Sequence, residues 1–480
     1  MRSIISSKIL FYNMIFFRYY RLFVFPFFMG ALFASPIRGQ VNLNSNKLRL
    51  IVLTDISSLS QDEAEPDDGQ SLVRLMLYTN ELDMEGLIAT SNLGHGQRTR
   101  PELIKKVVDT YGQVHPNLLL HDKNYPPVSQ LSAIIKGGTP IASPLVPLEQ
   151  SIGDGKDTEG SDWIIKVVDK KDPRPVWVVI WGGSADLAQA LWKVKATRKP
   201  DQVKQFVAKL RVHAVYDQDR TGPWLKAEFP ELFYIFRHHG IRGMYRGGDT
   251  TLVRSRWVET NIRKDHGALG DLYVNYKGGD IWGRQLGRVT GIKEGDTPSF
   301  LYLLTNGLNV PEHPEWGNWG GRFKKDNTTN NLWTEAIDSV ANYKTDMDPR
   351  MAALYRWRAA WQADFAARLD WCIKSFKEAN HAPRLKDING KVIVSGGEQV
   401  KLTAQASDPD KDNLHYNWFF YPEEGTYRGV FPPLNAKEKV ALFTAPTVSS
   451  PQTIHVILEV TDNGKPALTS YKRFIVLVEP

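Results

Sequence analysis

Cysteine is almost absent from this sequence, since Cys372 is the single example among 480 residues. One thiol cannot form an internal disulfide, so the fold must depend on the burial of apolar side chains. Cys372 lies within an apolar helical pattern, which predicts a buried structural thiol. Hydrophobic residues make up 42% of the sequence and charged residues 24%. This composition is ordinary for a globular protein, and the length suffices for two or three domains.

Long apolar runs are also scarce near the N-terminus. Residues 22–34, LFVFPFFMGALFA, are too few and too interrupted by Pro26 to favour a membrane-spanning helix. Scattered positive charges precede this run and SPIRGQ follows it, a combination typical of a secretory signal. We expect residues 1–39 to be a signal peptide and the protein to be secreted or periplasmic. The alternative is an uncleaved N-terminal segment that anchors the protein to the membrane.

Acidic residues are missing from the first forty positions, where all the charge is positive. Without the five basic residues of that segment, the formal charge of +7 becomes a balance of 55 basic against 53 acidic residues. Global charge therefore does not favour nucleic-acid binding, and we expect no nucleic-acid partner. The sequence gives no indication of the oligomeric state.

Strand-like and helix-like patterns alternate from residue 48 to about residue 309. The predicted strands are LRLIVLTD, MEGLIATSN, NLLLHD, PVWVVIWGG and LRVHAVYDQD. Alternation of this kind predicts an α/β fold with a mostly parallel sheet that helices flank on both faces. Ligands of such sheets bind beyond the carboxyl ends of the strands. We therefore expect Asp55, Asn92 and residues 217–219 to converge on one crevice.

The C-terminal part of the chain has a different pattern. The helical stretch that ends near residue 380 carries an aromatic stripe, which its helical spacing predicts to be core. The stripe consists of Tyr355, Trp361, Phe365 and Trp371. From residue 381 onward, alternating runs separated by turn residues predict an all-β immunoglobulin-like sandwich with Trp418 in its core. The predicted domains are residues 40–380 and 381–480.

Acidic residues crowd the end of the first predicted strand, in TDISSLSQDEAEPDDGQSLVRL. Asp55 follows the strand, and Asp67 and Asp68 open a helical pattern. Carboxylates packed this closely repel one another, and a bound cation removes that cost. Their oxygens suit Ca²⁺ or Mg²⁺. The alternative is that Asp67 and Asp68 only cap the helix.

Four segments of the first domain resemble the nucleoside hydrolases, of which this chain looks like a distant, inosine-uridine-type relative. They are LIVLTD…EPDDGQSL, MEGLIATSN, WGGSADLAQAL and EGDTPSFLYLL. The resemblance implies a Ca²⁺ site formed by Asp55, Asp68, Asp296 and the backbone carbonyl of Ala185. It also implies that Asp67 and Asn92 contact a sugar.

The sequence is more similar still to a secreted, cellulose-binding branch that joins a nucleoside-hydrolase-like domain to a C-terminal immunoglobulin-like domain. YDQDRTGPWLKAEFPELFYI, HGALGDLY, GDTPSFLYL and PEWGNWGGRF carry this similarity. It implies a carbohydrate ligand.

A hydrolase of this kind needs a base and an acid, and the resemblance makes Asp55 the candidate base. Gly295 stands where the nucleoside hydrolases have a histidine that assists the leaving group, which argues against ordinary nucleoside hydrolysis. His266, Asp219 or Glu294 could replace that acid. The alternatives are a structural histidine and a turn-forming aspartate.

Other polar and aromatic residues are candidates for substrate contacts. Gln218 and Trp224 follow the fifth predicted strand, although Trp224 could equally be core. Two tryptophans among glycines predict an exposed loop at a carbohydrate groove, and the alternative is a loop that its aromatic side chains pin to the domain. The candidates in this loop are Trp316, Asn318, Trp319 and Arg322.

Two functions are consistent with these features. The first is a secreted, Ca²⁺-dependent glycosidase-like hydrolase that acts on or binds a carbohydrate such as a plant cell-wall glycan. The second is a non-catalytic protein that binds cellulose or another carbohydrate, which the glycine at position 295 favours. Nucleoside salvage is disfavoured by the signal sequence and by the same glycine.

Overall fold

A computed structural model of the chain describes most residues after position 46. The described residues are 47–60, 66–91, 98–278, 289–326, 331–340, 348–386, 390–434 and 436–480. The predicted signal segment and Asn92 lie outside them. Among the described residues, no helix combines the length and the apolar character that crossing a membrane requires.

An eight-stranded sheet forms the centre of the first domain. Its strands are β1 (Leu48–Thr54), β2 (Leu82–Ala89), β3 (Ile135–Gly137), β4 (Val176–Ile180), β5 (Leu210–Val215), β6 (Phe233–Arg237), β7 (Phe323–Lys325) and β8 (Leu332–Glu335). They are ordered β3-β2-β1-β4-β5-β6-β8-β7. All neighbours are parallel except β7 and β8, so the prediction of a mostly parallel sheet is confirmed.

Helices cover both faces of this sheet. They are α1 (Asp67–Met76), α2 (Pro101–His121), α3 (Val128–Ala133), α4 (Leu148–Ser151), α5 (Glu159–Val168), α6 (Ala185–Thr197), α7 (Pro200–Ala208), α8 (Thr221–Glu228), α9 (Ser255–Val258), α10 (Gly267–Leu272), α11 (Thr297–Leu301), α12 (Ala352–Tyr355) and α13 (Arg358–Asp370). Alternate residues of β1 enter two different buried clusters, because successive side chains of a strand point to opposite faces. Leu50 and Val52 belong to one cluster, and Ile51 and Leu53 belong to the other.

One predicted strand is wrong. NLLLHD, residues 117–122, was expected to be a strand, but all of it except the final aspartate belongs to α2. Tyr111, Val114 and Leu118 of this helix are buried at spacings of three and four residues. A short apolar run at the end of a helix cannot be told from a strand by its composition, and here the helical spacing decides the structure.

Strands of the C-terminal region form three separate sheets. They are β9 (Arg384–Leu385), β10 (Lys391–Ser395), β11 (Gln399–Thr403), β12 (Ala406–Ser407), β13 (His415–Gly425), β14 (Val440–Thr444), β15 (Gln452–Thr461) and β16 (Thr469–Glu479). One sheet has the order β10-β16-β15-β13, and two smaller sheets pair β11 with β14 and β12 with β9. Trp418 is 1% exposed in the core of this region, as predicted. The expected all-β region after the α/β domain is therefore confirmed.

The aromatic stripe near the end of the first domain is core. Trp361 and Phe365 of α13 are fully buried, and Tyr355 and Trp371 nearly so. Cys372 is buried among them, in agreement with the prediction of a structural thiol.

Candidate functional site

Four aspartates meet at the carboxyl end of β1, and we call them the acidic cluster. Asp55 directly follows β1, Asp67 and Asp68 are the first residues of α1, and Asp296 immediately precedes α11. Carboxylate oxygens of Asp67, Asp68 and Asp296 all lie within 4.8 Å of one another. The Asp68 carboxyl group also raises the pKa of Asp55, so these two side chains lie close to each other.

Thr54 fixes the position of Asp68 relative to the end of β1. Its hydroxyl donates a hydrogen bond to Asp68 Oδ1 and accepts one from the backbone N–H of Ile56 at 3.2 Å. Thr54 is fully buried, so both bonds are shielded from water. The first turn of α1 is therefore held against the strand by a side chain that the sequence analysis did not single out.

Gln70 fixes the segment that leads to Asp296. Its amide nitrogen donates to the carbonyls of Val274 and Gly291 at 2.7 and 2.9 Å, and its oxygen accepts from the N–H of Lys293 at 2.7 Å. Gln70 is fully buried in α1. Because Gln70 is two residues after Asp68, and Lys293 three before Asp296, these bonds bring the two halves of the acidic cluster together.

Burial and mutual repulsion make ionisation of the cluster unfavourable. Burial raises the pKa of Asp68 to about 7, and the neighbouring Asp67 carboxylate contributes to the shift. The pKa values of Asp55 and Asp296 are also raised well above the usual value, first by burial and then by the other carboxylates. Asp296 Oδ2 is buried and has no hydrogen-bond partner among the described residues. The cluster therefore has an excess of acceptors and a deficit of positive charge, which a hard cation would correct.

Ala185, whose backbone carbonyl the resemblance implies as a calcium ligand, is fully buried as the first residue of α6. Gly182, three positions earlier, lies against Asp55. A Cβ added to Gly182 would fall 2.5 Å from Asp55 Cβ. The glycine pair after β4 was the sequence signal for this close approach, which the sequence analysis did not use.

Gln218 and Asp219 follow β5, at the same edge of the sheet as the acidic cluster. The Gln218 amide donates to the carbonyl of Trp181 at 2.7 Å, so it borders the loop that contacts Asp55. Asp219 is 4% exposed and accepts hydrogen bonds from the backbone of Ser184 and Thr221 and from both hydroxyls. Burial raises the Asp219 pKa, and these bonds oppose the rise. Its contacts are those of an aspartate that stabilises the start of α8.

The other predicted acids are also engaged outside the acidic cluster. His266 Nε2 lies 3.4 Å from a carboxylate oxygen of Asp370, at the end of α13. Glu294 forms a fully buried ion pair with Arg74 at 2.7 Å and accepts a hydrogen bond from Tyr273. The three candidates for leaving-group acid are thus all occupied by structural partners.

Trp224 packs on its own domain. Its ring lies edge-to-face with that of Phe229, with 5.7 Å between the ring centroids, and it borders the buried cluster between the sheet and α8. Trp224 is partly buried at the edge of this cluster, and its predicted role in substrate contact stays a prediction.

The predicted exposure of Trp319 is wrong. This side chain is 3% exposed, and its indole N–H donates to the hydroxyl of Tyr471, on β16, at 3.3 Å. The two rings are perpendicular, with centroids 6.1 Å apart. Asn318 is 1% exposed, and its side-chain oxygen accepts from the N–H of Gly320. Trp319 therefore fills the contact between the α/β domain and the C-terminal strands, and Asn318 is buried beside it.

Trp316 and Arg322 belong to the same contact, which we call the interdomain loop (residues 316–322). Trp316 stacks on His313 with ring centroids 4.0 Å apart, and its carbonyl accepts a hydrogen bond from Arg473 of β16. Arg322 donates to the buried carboxylate of Asp338 at 2.6 Å. The alternative prediction, a loop pinned by its aromatic side chains, describes this arrangement.

Comparison with known proteins covers both parts of the chain. Residues 49–323 match the family described as "Cellulose-binding Sde182, nucleoside hydrolase-like domain", and residues 399–478 match "Cellulose-binding protein Sde0182, C-terminal domain". The chain belongs to the Sde182 family. Membership in this family confirms the resemblance that the sequence segments indicated, including the order of its two parts.

A solved structure of a similar protein supports the fold of this chain. It is a nucleoside hydrolase-related protein from Saccharophagus degradans, associated with carbohydrate metabolism, and is 32% identical. The match covers 90% of this chain and 100% of that one, with a TM-score of 0.73. Chitinase A of Pseudoalteromonas piscicida is 34% identical over 101 residues, which are 21% of this chain but 11% of the chitinase. Because the match covers so small a share of the chitinase, it does not indicate chitinase activity in this chain.

Proposed function

We propose that this protein binds a carbohydrate at the carboxyl ends of its parallel sheet, where a calcium ion in the acidic cluster organises the site. The observation that carries the proposal is the charge deficit of the cluster: three carboxyl groups with raised pKa values, one of which has a buried oxygen without a hydrogen-bond partner in the described part of the chain. The cellulose-binding description of the family supports a glycan as the ligand.

The side chains fit such an ion. Asp55, Asp68 and Asp296 would hold it, because carboxylate oxygens are the ligands that Ca²⁺ prefers. A bound Ca²⁺ would supply the positive charge that orients neighbouring sugar hydroxyls and lowers the pKa of a water. Asp67 is half-buried at the rim and would accept hydrogen bonds from those hydroxyls.

Gly295 leaves room for the ligand beside Asp67. A Cβ added to Gly295 would lie 3.5 Å from Asp67 Oδ2, so a larger side chain at this position would extend next to the sugar-binding carboxylate. The glycine therefore has two effects: it removes the acid that a nucleoside substrate would need, and it widens the space available to a bulkier saccharide.

Hydrolysis of a glycosyl bond is the second candidate function. It is favoured by the position of Asp55 in the acidic cluster, because a carboxylate beside a calcium-bound water could take a proton from it. It is disfavoured by the occupied state of Asp219, His266 and Glu294, since a leaving group needs a proton donor. We also propose that the protein is secreted, on the basis of the predicted signal segment.

Calcium analysis and cellulose retention test the proposal. The wild-type protein is freed of metal with a chelator, and its calcium content, melting temperature and retention on cellulose are measured with and without added calcium. We expect calcium to raise both stability and retention, and Asp68→Asn to abolish these responses. Asp201→Asn, at an exposed position of α7, is the matched control and should behave as wild type.

The outcomes separate the two functions. Release of reducing sugar that depends on calcium and on Asp55 would establish hydrolysis, whereas retention without release supports binding alone. If the protein binds no calcium and chelator leaves retention unchanged, the calcium-organised site is refuted.

A further inference from the structure

Tyr216, the first residue after β5, has a backbone conformation that residues other than glycine rarely adopt. Its φ is 69°, in the left-handed region where a Cβ crowds the following carbonyl. The Tyr216 N–H donates to the carbonyl of Arg237 at 2.8 Å, so the strained turn is fixed against the end of β6. A non-glycine residue retained in this region is a recognised mark of a functional position.

The strained turn exposes an aromatic ring. Tyr216 is 40% exposed, and its hydroxyl makes no hydrogen bond within the described part of the chain. The His238 ring stacks on it with centroids 4.7 Å apart and an interplanar angle of 26°. His239 packs against His238 and is linked to Arg242 by a hydrogen bond. His238 covers one face of the Tyr216 ring and leaves the other face free of that contact, and we call this stacked pair the aromatic shelf.

The aromatic shelf lies on the same edge of the sheet as the acidic cluster. Asp55 follows β1, Tyr216 follows β5 and His238 follows β6, and β4 lies between β1 and β5. Neighbouring strands are about 4.8 Å apart, so the Tyr216 backbone lies roughly 10 Å from the end of β1. The Tyr216 ring extends towards β6, where His238 stacks on it. The Gln218 amide and the Trp181 carbonyl lie between them. A single sugar held at the acidic cluster cannot reach this surface, whereas an oligosaccharide can.

We propose that the aromatic shelf is a second saccharide subsite, which binds a sugar of an oligosaccharide beyond the sugar that the acidic cluster holds. The C–H face of a pyranose packs well on an exposed aromatic ring, whose burial yields a large apolar gain. A strained turn that holds an exposed ring at this edge of the sheet fits this role. The inference rests on the proposed function and specifies its substrate class.

Substitution by glycine separates a binding role from a structural one. Glycine adopts φ values near 69° without strain, so Tyr216→Gly removes the ring and relieves the backbone at once. Calcium-loaded wild type and variant are titrated calorimetrically with cello-oligosaccharides from cellobiose to cellohexaose. We expect wild-type affinity to rise with chain length, and Tyr216→Gly to bind cellohexaose about tenfold more weakly with cellobiose binding unchanged.

Two further variants and the melting temperature complete the test. Tyr216→Phe should retain the length dependence, because the hydroxyl has no partner, and Tyr427→Ala, a partly exposed tyrosine of the C-terminal region, should match wild type. Tyr216→Gly should melt no lower than wild type. A marked drop in melting temperature, or unchanged cellohexaose affinity, overturns the shelf while leaving the proposed function intact. If wild type binds none of these oligosaccharides, the proposed function fails and the shelf fails with it.

Discussion

The acidic cluster and the interdomain loop both involve buried carboxylates, but these carboxylates differ in their partners. Beside the interdomain loop, the Asp338 carboxylate accepts hydrogen bonds from Arg322 and Arg356 at 2.6 and 2.7 Å and from the hydroxyl of Tyr421 at 2.7 Å. In the acidic cluster, Asp296 has a buried oxygen without a hydrogen-bond partner among the described residues. Satisfied polar groups hold two parts of a protein together, whereas unsatisfied ones need a ligand.

The pKa values of Asp338 and Asp296 differ in the same way. Burial opposes the ionisation of Asp338, but Arg322 and Arg356 outweigh it and hold its pKa below the usual value. Burial also opposes the ionisation of Asp296, where the neighbouring carboxylates add to the effect and the pKa rises. The first carboxylate is already neutralised by the protein, and the second would be neutralised by a cation or a proton.

The largest expected change in stability follows from removing the charge of Asp338. Asp338→Asn leaves Arg322 and Arg356 buried against a neutral group, and breaking a buried ion pair costs about 3–5 kcal/mol. We expect a loss of this size in the free energy of unfolding from urea denaturation, with calcium binding unchanged in the protein that remains folded. A loss near zero would show that the interdomain contact does not depend on this carboxylate.

In the acidic cluster, an aspartate-to-asparagine substitution should increase the free energy of unfolding. Without calcium, Asp68→Asn removes a repelling charge and keeps an acceptor for Thr54, so we expect a gain of about 1–2 kcal/mol, the scale of one pKa unit. The raised Asp68 pKa, about 7 against 3.8 in the unfolded chain, means that the folded state binds the extra proton. Stability of the calcium-free wild type should therefore fall as pH rises from about 4 to about 7.

Thermal melting across this pH range, with calcium removed, measures the effect. Asp68→Asn should flatten the pH profile, and added calcium should reverse the order of stability of the two proteins. A calcium-free wild type that grows more stable over this range would contradict the charge deficit assigned to the cluster.

The sequence was sufficient for features that depend on neighbouring residues and on general rules of sheet topology. β1, β4 and β5 are apolar runs, so they were predicted directly. The gathering of Asp55, Asp67 and Asp68 followed from their position at a strand end and a helix start. These relations extend over short stretches of chain, where spacing and composition carry the information.

Features that depend on distant partners could not be predicted. Trp319 is buried because Tyr471 of β16 packs on it, and nothing in the glycine-rich sequence around Trp319 indicates that partner. Glu294 likewise forms an ion pair with Arg74 of α1, and nothing in the sequence around Glu294 indicates that partner. The position of Gly182 against Asp55 depends on how two loops meet in space.

A smaller effect is expected from crowding the acidic cluster without changing its charge. Gly182→Ala places a Cβ 2.5 Å from Asp55 Cβ, so the Asp55 side chain must shift. Displaced metal ligands weaken binding, and we expect calcium affinity measured by titration to fall about tenfold. Gly137→Ala is the matched control, because a Cβ at Gly137 would meet nothing within 4 Å. Equal calcium affinity in the two variants would exclude Asp55 as a ligand.

The smallest effect concerns a second contact between the α/β domain and the C-terminal strands. His121 Nε2 lies 2.9 Å from the carbonyl of Lys374, and His121 Nδ1 lies 2.9 Å from His381 Nε2. His381 Nδ1 in turn lies 3.0 Å from an Asp410 carboxylate oxygen. Because the Lys374 carbonyl can only accept, His121 donates from Nε2 and accepts at Nδ1. A proton on Nδ1 would oppose two N–H groups and break the chain of hydrogen bonds.

This contact should lose stability as pH falls, whereas the acidic cluster should lose stability as pH rises. Burial lowers the pKa of His121, and His381 adds to the shift, while the Lys374 carbonyl and Asp410 oppose it. The unfolded chain therefore binds this proton first, so stability is complete above pH 6.5 and declines as pH falls below it. We expect a loss of about 1 kcal/mol in urea denaturation of calcium-loaded protein. His121→Gln should remove that decline, whereas His115→Gln, on the same helix, should keep it; an unchanged decline in His121→Gln would mean that another group titrates at the junction.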